Sequence, residues 1–208
     1  MMHPEAGTLP IGVDLLPSAR AMSSDVPQRI GFPAESGDNT GLYGPLTNGQ
    51  RMIGHLPVRL QEGIKAQAAS LMNAGALPPT LREMIIVRTG YQAASLYEVV
   101  QHRSLARRVG VPEAKLDALA SAIPLGLEPA ERAAIDFVDE LLQQNRPGDT
   151  ALAGARRYYS DGEILEIIFI TGTWWTLARM LETAGVPLDE DRIGDRNVGP
   201  AAGRSQSC

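Results

Sequence analysis

Two ionisable side chains, Glu98 and His102, lie four residues apart in a segment with a helical pattern of apolar residues. Residues at i and i+4 are neighbours on one face of a helix, so this spacing places the carboxylate beside the imidazole. The pattern after Ser95 predicts that Glu98, His102, Leu105 and Val109 form one core-facing stripe. A buried carboxylate next to an imidazole can titrate near neutral pH, so the pair is a candidate proton-transfer unit.

The same residues also have structural explanations. Ser95 and Glu98, like Thr80 and Glu83 and like Ser160 and Glu163, have the spacing of a capping box, in which a hydroxyl and a carboxylate satisfy free backbone N–H groups at a helix start. A single histidine in a core is usually a satisfied structural residue, and structural ion pairs perturb pKa values too. Spacing alone therefore leaves both interpretations open for Glu83, Glu98 and His102.

Other side chains are candidates for contact with a substrate. Arginines could hold an anionic substrate, and aromatic residues could line an apolar pocket. The alternative in each case is an ion-paired or solvated surface position for the arginine and a core or interface position for the aromatic residue. The candidates are Arg59, Arg82, Arg88, Tyr97, Trp174 and Trp175. Three further arginines, Arg103, Arg107 and Arg108, are expected to turn away from the stripe of Glu98 and His102.

The composition excludes several kinds of chemistry. The only cysteine is Cys208, so an internal disulfide, a thiolate metal site or a Cys-x-x-Cys redox pair cannot form within the chain. The histidines, His3, His55 and His102, are too widely spaced for a local metal motif, and we expect neither a metal nor another cofactor. The net charge of −5 arises from scattered residues, which predicts no nucleic-acid partner.

The chain also carries no obvious targeting or membrane segment. No run approaches the roughly 18 consecutive apolar residues of a membrane-spanning helix. The N-terminus lacks a basic region followed by an apolar one. We therefore expect a cytoplasmic protein with no membrane partner.

The segments that must position these residues are helical. Residues 1–45 are rich in Pro, Gly and Ser and predict an extended N-terminal arm, and residues 191–208 predict a flexible tail. Residues 46–190 predict one helical domain, with no persistent strand alternation. The helices are expected at 48–72, broken near Pro57, and at 80–93, 96–109, 112–121, 129–144, 150–158 and 161–184.

Two stretches, residues 81–88 (LREMIIVR) and residues 97–112 (YEVVQHRSLARRVGVP), resemble the signature region of the carboxymuconolactone decarboxylase family and its AhpD-like relatives. Residues 131–141, 159–168 and 172–179 are similar to the second half of that family. The resemblance covers roughly residues 45–190. It implies an all-α, AhpD-like helical bundle that assembles into a trimer or hexamer.

The resemblance also bears on the chemistry. In the peroxidase branch of this superfamily a glutamate precedes a Cys-x-x-Cys pair and a histidine, and these four positions correspond to Glu83, Ser95, Glu98 and His102. A hydroxyl and a carboxylate cannot cycle through a sulfenic acid and a disulfide, so a thiol peroxidase is disfavoured. The resemblance instead implies the decarboxylase branch, whose members act without a cofactor on lactones from aromatic-compound catabolism.

The resemblance implies a carbon–carbon lyase in which His102, oriented by Glu98, protonates carbon after carbon dioxide leaves. Glu83, or a helix N-terminal N–H group near Ser95, would polarise the lactone carbonyl. The expected substrate contacts are Ser95, Tyr97, Arg88 and Trp174.

Two alternatives stay open. One is a related isomerase or hydrolase that uses the same pocket and acts on another small molecule. The other is a non-catalytic, oligomeric binding protein. Self-association is expected in either case, because the helix at 161–184 is apolar around much of its circumference.

Overall fold

The computed structural model describes residues 14–23, 26–33, 40–41, 44–144 and 146–189. In this part of the chain nine helices account for nearly all the regular structure, and the predicted all-α class is confirmed. The helices are α1 (Pro17–Arg20), α2 (Asn48–Ile53), α3 (Val58–Asn73), α4 (Pro79–Gln92), α5 (Leu96–Arg108), α6 (Glu113–Ala118), α7 (Pro129–Gln143), α8 (Asp149–Ala155) and α9 (Asp161–Ala184). Two short strands, β1 (Thr40–Gly41) and β2 (Gly44–Pro45), pair antiparallel.

Helix α4 lies at the centre of the bundle. Every residue from Leu81 to Tyr91 is buried, because α5, α7 and α9 all pack against this helix. Its apolar residues fill the core, while Arg82, Glu83, Arg88 and Thr89 are polar and must find partners inside the protein. The fold therefore forces charged side chains of α4 into contact with neighbouring helices.

The predicted capping box of Thr80 and Glu83 is wrong. Helix α4 begins at Pro79 with Pro78 as its N-cap, and no side chain caps it. A proline suits this first position because its missing N–H would have no helical partner. The early start places Glu83 beyond the first turn, where its carboxylate is free to contact other helices.

Of the other two predicted capping boxes, one forms in full and one forms in part. The box of Ser160 and Glu163 at the start of α9 is confirmed, with both reciprocal hydrogen bonds present. At the start of α5, the Ser95 hydroxyl accepts a hydrogen bond from the Glu98 N–H, but no return bond closes the box. The Glu98 carboxyl is therefore also free for other contacts.

The predicted stripe on α5 needs correction. Glu98 and His102 are buried, but Leu105 is half-buried and Val109 is exposed. Arg103 was expected to turn away, yet it is fully buried because its guanidinium bonds to Glu113, Asp117 and the Tyr91 hydroxyl. Two faces of α5 are thus buried, and the face of Glu98 and His102 is only one of them.

Segments of the predicted arm pack against the helical domain itself. The Leu16 N–H donates to the Ala120 carbonyl, and the N–H groups of Arg29 and Ile30 donate to the Ala184 carbonyl at the end of α9. The predicted arm also includes residues 1–13, and the predicted tail is residues 191–208; both lie outside the described residues. The domain limits near 45 and 190 stay predictions.

Within the described part of the chain, α9 is long and apolar enough to cross a membrane by length and composition. Its sequence contains no long uninterrupted apolar run because Glu166, Gly172 and several threonines lie within it. In this fold α9 packs against α4, α5 and α7, and one set of its apolar residues belongs to the core: Ile164, Ile167, Ile170 and Trp174.

We expect Gly185→Ala to destabilise the protein by at least about 1 kcal/mol. Gly185 ends α9 in the left-handed region, with φ of 64°, and an added Cβ would also collide with the Pro27 carbonyl of the docked arm. Chemical denaturation monitored by circular dichroism measures the loss. Gly154→Ala, inside α8 with open space around its Cα, is the matched control and should not destabilise. Equal effects of both substitutions would contradict this account.

Candidate active site

His102 lies between two carboxyl groups from different helices. Its Nδ1 is 2.8 Å from Oε2 of Glu83 on α4, and its Nε2 is 3.5 Å from Oε2 of Glu98 on α5. The Glu83 side chain is fully buried, while His102 and Glu98 retain side-chain exposures of 10% and 6%. The imidazole is thus held at one nitrogen and faces a second carboxyl at the other.

Trp174 on α9 completes the surroundings of the imidazole. Its indole N–H donates to Nε2 of His102 over 2.6 Å, and the two rings meet edge to face. An indole nitrogen only donates, so the Nε2 atom that accepts its hydrogen bond carries no proton. The network therefore assigns the single proton of a neutral imidazole to Nδ1, which donates to Glu83.

Arg82 supplies the positive charge that the fully buried Glu83 needs. Its Nε and Nη2 atoms lie 3.4 and 3.5 Å from Oε1 of Glu83, while Oε2 of the same carboxylate binds His102. A buried carboxylate without a charged or hydrogen-bonding partner would be costly. The contact gives the buried Glu83 side chain a cationic partner at one oxygen while its other oxygen binds the imidazole.

The electrostatics raise the pKa values of two neighbouring groups, Glu98 and His102. Burial raises the pKa of Glu98 to about 7, with His102 lowering it and the carboxylate of Glu182 raising it. Burial lowers the pKa of His102, but the hydrogen bond and charge of Glu83 and the charge of Glu98 outweigh burial and raise it overall. Adjacent groups of this kind can exchange a proton near pH 7.

The predicted site residues fall into two groups. The structure brings Glu83, Glu98, His102 and Trp174 together, and it places Ser95 at the edge of this cluster. The Ser95 hydroxyl is fully buried and donates to Oε1 of Glu182 over 2.9 Å.

Tyr97 lies outside the cluster. Its hydroxyl accepts from the Gly49 N–H over 2.7 Å and donates to Asp189 over 2.8 Å, which ties α5 to α2 and to the segment after α9. An alanine side chain at Gly49 would touch the Tyr97 ring. Among the described residues Tyr97 makes structural contacts, and its role as a substrate contact stays a prediction.

Arg88 also lies outside the cluster. Its guanidinium is fully buried, where it binds both oxygens of Asp139 and the carbonyl groups of Leu119 and Ser121. These contacts occupy the guanidinium from two directions and hold α4 against α7. The described contacts of Arg88 are structural, and its role as a substrate contact stays a prediction. The other candidates, Arg59 and Trp175, are exposed on α3 and α9.

A large groove in the described residues lies away from this cluster. It has a volume of about 1010 Å³ and runs between α3 and α9, with an apolar lining that includes Leu165, Phe169 and Met180. Neither Glu98 nor His102 lines it. The Trp174 indole occupies Nε2 of His102, and the side chains of Glu98 and His102 are only slightly exposed.

Two contacts of the cluster were not anticipated from the sequence. The sequence predicts Arg82 as an anion ligand or as an ion-paired or solvated surface residue, whereas its observed pairing with the buried Glu83 depends on the burial of α4. Glu182 is not among the residues predicted from the sequence. It lies eight residues after Trp174, on the same face of α9, and this spacing is the signal that would have pointed to it. No group of three or more His, Cys, Asp or Glu side chains that could hold a metal occurs in the described ranges.

We expect Trp174→Phe to raise the pKa of His102 by about one unit, because the lost hydrogen bond favours only the neutral imidazole. Titration of the imidazole by NMR measures the change, and a His102→Gln spectrum assigns the signal. Trp175→Phe alters the exposed neighbouring indole and should leave the titration unchanged. A fall in the pKa of His102 upon Trp174→Phe would contradict the assigned hydrogen bond.

Comparison with known proteins supports the fold and the family. Residues 55–140 match the carboxymuconolactone decarboxylase family, which confirms the resemblance noted from the sequence. The matched range includes Glu83, Glu98 and His102 but not Trp174 or Glu182. None of the curated proteins is a significant match to this chain.

Several solved structures share the fold. An AhpD-core, peroxidase-related protein from Ralstonia eutropha JMP134 is 23% identical, with a TM-score of 0.64 over 92% of this chain and 96% of that one. A peroxidase-related protein from Silicibacter sp. TM1040 is 18% identical, with a TM-score of 0.68 over 83% and 94% of the two chains. The apo debrominase Bmp8 is 20% identical, with a TM-score of 0.64 over 74% and 84%. At these identities the likeness establishes the AhpD-like fold.

Proposed function

We propose that this chain, whose residues 55–140 belong to the carboxymuconolactone decarboxylase family, is a cofactor-independent lyase. Its substrate would be an unsaturated lactone or carboxylic acid from aromatic-compound catabolism. The observation that carries the proposal is the position of His102, which has Glu83 at Nδ1 and Glu98 beside Nε2. This arrangement resembles a general acid–base unit with an orienting carboxylate and a second proton donor.

The geometry supports a different division of roles from the one expected from the sequence. Glu83, rather than Glu98, binds Nδ1 and orients the imidazole. Its negative charge also favours the imidazolium that forms when Nε2 takes a proton. Glu98, whose pKa lies near 7, is the candidate that supplies and recovers that proton. Both carboxyl groups therefore have a part in proton transfer, and neither serves only to polarise a lactone carbonyl.

The proposed reaction combines proton transfer from Glu98 through His102 with the loss of carbon dioxide. Substrate displaces the Trp174 indole from Nε2 of His102, and the Glu98 carboxyl transfers its proton to Nε2. The carbon–carbon bond to the departing carboxylate breaks, carbon dioxide leaves, and the electron pair enters the conjugated lactone. The imidazolium then donates its Nε2 proton to carbon, and Glu98 regains a proton from water.

Charge placement and desolvation would provide the remaining acceleration. General acid catalysis contributes about 10²- to 10⁴-fold, which is less than a full enzymatic rate enhancement. The cluster excludes most water, since the side chains of Glu83, Glu98, His102 and Arg82 are all at least nine-tenths buried. A carboxylate loses hydration on entering such a site, which favours its departure as neutral carbon dioxide.

We also propose that the chain self-associates in the cytoplasm, as a trimer or hexamer. Helix α9 exposes large apolar side chains, Leu165, Phe169 and Trp175, and the first two border the apolar groove against α3. Exposed apolar surface of this kind is typical of a subunit interface.

The test of the proposed function is turnover of a substrate panel by the full-length protein. The panel contains unsaturated lactone acids and hydroxy acids derived from aromatic rings, and it is followed by carbon dioxide release and by product NMR. A lyase releases carbon dioxide and places solvent deuterium on the carbon that lost it. Turnover without carbon dioxide release would instead identify an isomerase or hydrolase that uses the same proton-transfer pair. No turnover of any member, despite binding in the cluster, would favour the non-catalytic alternative.

A further inference from the structure

Glu182 lies in the last turn of α9, but its carboxylate is directed to the start of α5. The C-terminal end of a helix disfavours negative charge, and the last turn of α9 contains no basic residue to offset it. Oε1 of Glu182 instead accepts the hydrogen bond from the Ser95 hydroxyl over 2.9 Å. Ser95 is the N-cap of α5, so Glu182 is held where the backbone favours an anion.

Glu98 occupies the first turn of the same helix. The Ser95 hydroxyl, which donates to Glu182, also accepts from the Glu98 N–H over 3.4 Å. One serine therefore connects the carboxylate of Glu182 to the backbone of Glu98. Two carboxyl groups share the start of α5, and the repulsion between them favours a state in which only one is ionised.

The surroundings of the two carboxyl groups differ. The Glu98 side chain is 6% exposed, whereas Glu182 is only partly buried and can be solvated as an anion. Burial is the main cause that raises the pKa of Glu98, and the charge of Glu182 raises it further. Burial and the neighbouring carboxylate therefore both favour the protonated form of Glu98.

The other charged groups around Glu98 act in different ways. His102 on the same helix favours the ionised form of Glu98. Glu83 and Arg82 on α4 act on His102, where Glu83 raises the pKa of the imidazole and Arg82 lowers it. Arg179, one turn before Glu182 on α9, has its guanidinium 5.9 Å from the Trp175 ring. Glu182 is thus the group among these that disfavours an ionised Glu98.

We infer that Glu182 is a positioning residue of the proposed reaction: anchored by Ser95, its negative charge keeps the proton on Glu98 until substrate displaces Trp174. The inference rests on the proposed function, because a protonated Glu98 matters only if that proton is used. Glu182 itself contacts no reacting atom. Its charge increases the fraction of Glu98 that is protonated near neutral pH.

The test is Glu182→Gln in the full-length protein. The glutamine keeps an oxygen that accepts the Ser95 hydrogen bond but removes the charge. Glu98 should become more acidic, and its carboxyl ¹³C titration midpoint should fall by roughly half a unit or more from about 7. Glu98→Gln assigns the resonance. Turnover that depends on protonated Glu98 is lost as pH rises through its pKa, so the alkaline limb of the pH–rate profile should move to lower pH by the same amount.

A matched control removes one negative charge far from the site. Glu62 is exposed on α3, so Glu62→Gln should leave both the titration and the pH–rate profile unchanged. Ser95→Ala releases the anchor of Glu182 and should shift the midpoint in the same direction as Glu182→Gln.

An unchanged or raised midpoint in Glu182→Gln would overturn the inference, even if the variant were less stable. The carboxyl titration needs no turnover, so it can fail while the proposed function stands. If wild-type titration behaves as expected but no substrate turns over, the proposed function fails instead.

Discussion

Replacing His102 by glutamine lowers the turnover number by at least about 10²-fold while the protein stays folded, because an amide cannot accept and release a proton at Nε2. The expected loss is large because His102 is the group through which the proton passes between Glu98 and the substrate carbon. Glutamine can still hydrogen-bond to Glu83, which limits the free-energy cost of leaving that buried carboxylate without a partner. Steady-state kinetics on the substrate identified from the panel measure the effect.

Two measurements separate chemistry from folding in this experiment. Thermal unfolding of His102→Gln should show one cooperative transition and near-wild-type secondary structure. His55→Gln alters an exposed histidine whose Nε2 hydrogen-bonds to the Gly31 carbonyl, and it should keep full activity. If His102→Gln retains near-wild-type turnover, His102 does not transfer the proton and the proposed mechanism is wrong.

Replacing Arg88 by methionine lowers the free energy of unfolding by about 3–5 kcal/mol, because it leaves the Asp139 charge without its buried partner. Arg88 is fully buried and makes two hydrogen bonds to Asp139, of 2.7 and 2.6 Å, and one to each of the carbonyl groups of Leu119 and Ser121. This loss is a large share of a typical total stability of about 5–15 kcal/mol. Urea denaturation measures it.

An exposed ion pair is the matched control for this substitution. Arg156 lies 2.9 Å from Asp161, and both side chains are more than half exposed. Arg156→Met should therefore change stability by less than about 1 kcal/mol. If Arg88→Met were as mild as Arg156→Met but abolished substrate binding, the original expectation that Arg88 contacts substrate would be supported.

The sequence was most informative where interactions are local. The helical period and the breaking residues placed α4, α5, α7 and α9 to within a few residues of their observed limits, because both depend on neighbours along the chain. The i, i+4 spacing brought Glu98 and His102 together for the same reason. The absence of cysteine at positions 95 and 98 disfavoured a thiol peroxidase without any structure.

Only the tertiary structure decided how the cluster is connected. Glu83 is 19 residues from His102, and Trp174 is 72 residues away, yet these two side chains bind the two ring nitrogens. Their contacts depend on how α4, α5 and α9 pack around one core, which no local period specifies. Packing also gave two arginines of α4 different partners. Arg82 pairs with Glu83, whereas Arg88 binds Asp139 on α7.

The roles of the two glutamates illustrate the same division. From the sequence, Glu98 was the partner of His102 and Glu83 was explained by a helix cap. The start of α4 at Pro79 and the burial of that helix reversed this assignment, because they free Glu83 from a cap and place it against Nδ1. The sequence by itself determined which helices form and which residue types they carry. The packing of those helices determined which carboxyl group orients His102 and which one lies beside Nε2, because contacts between helices arise from the shape of the shared core.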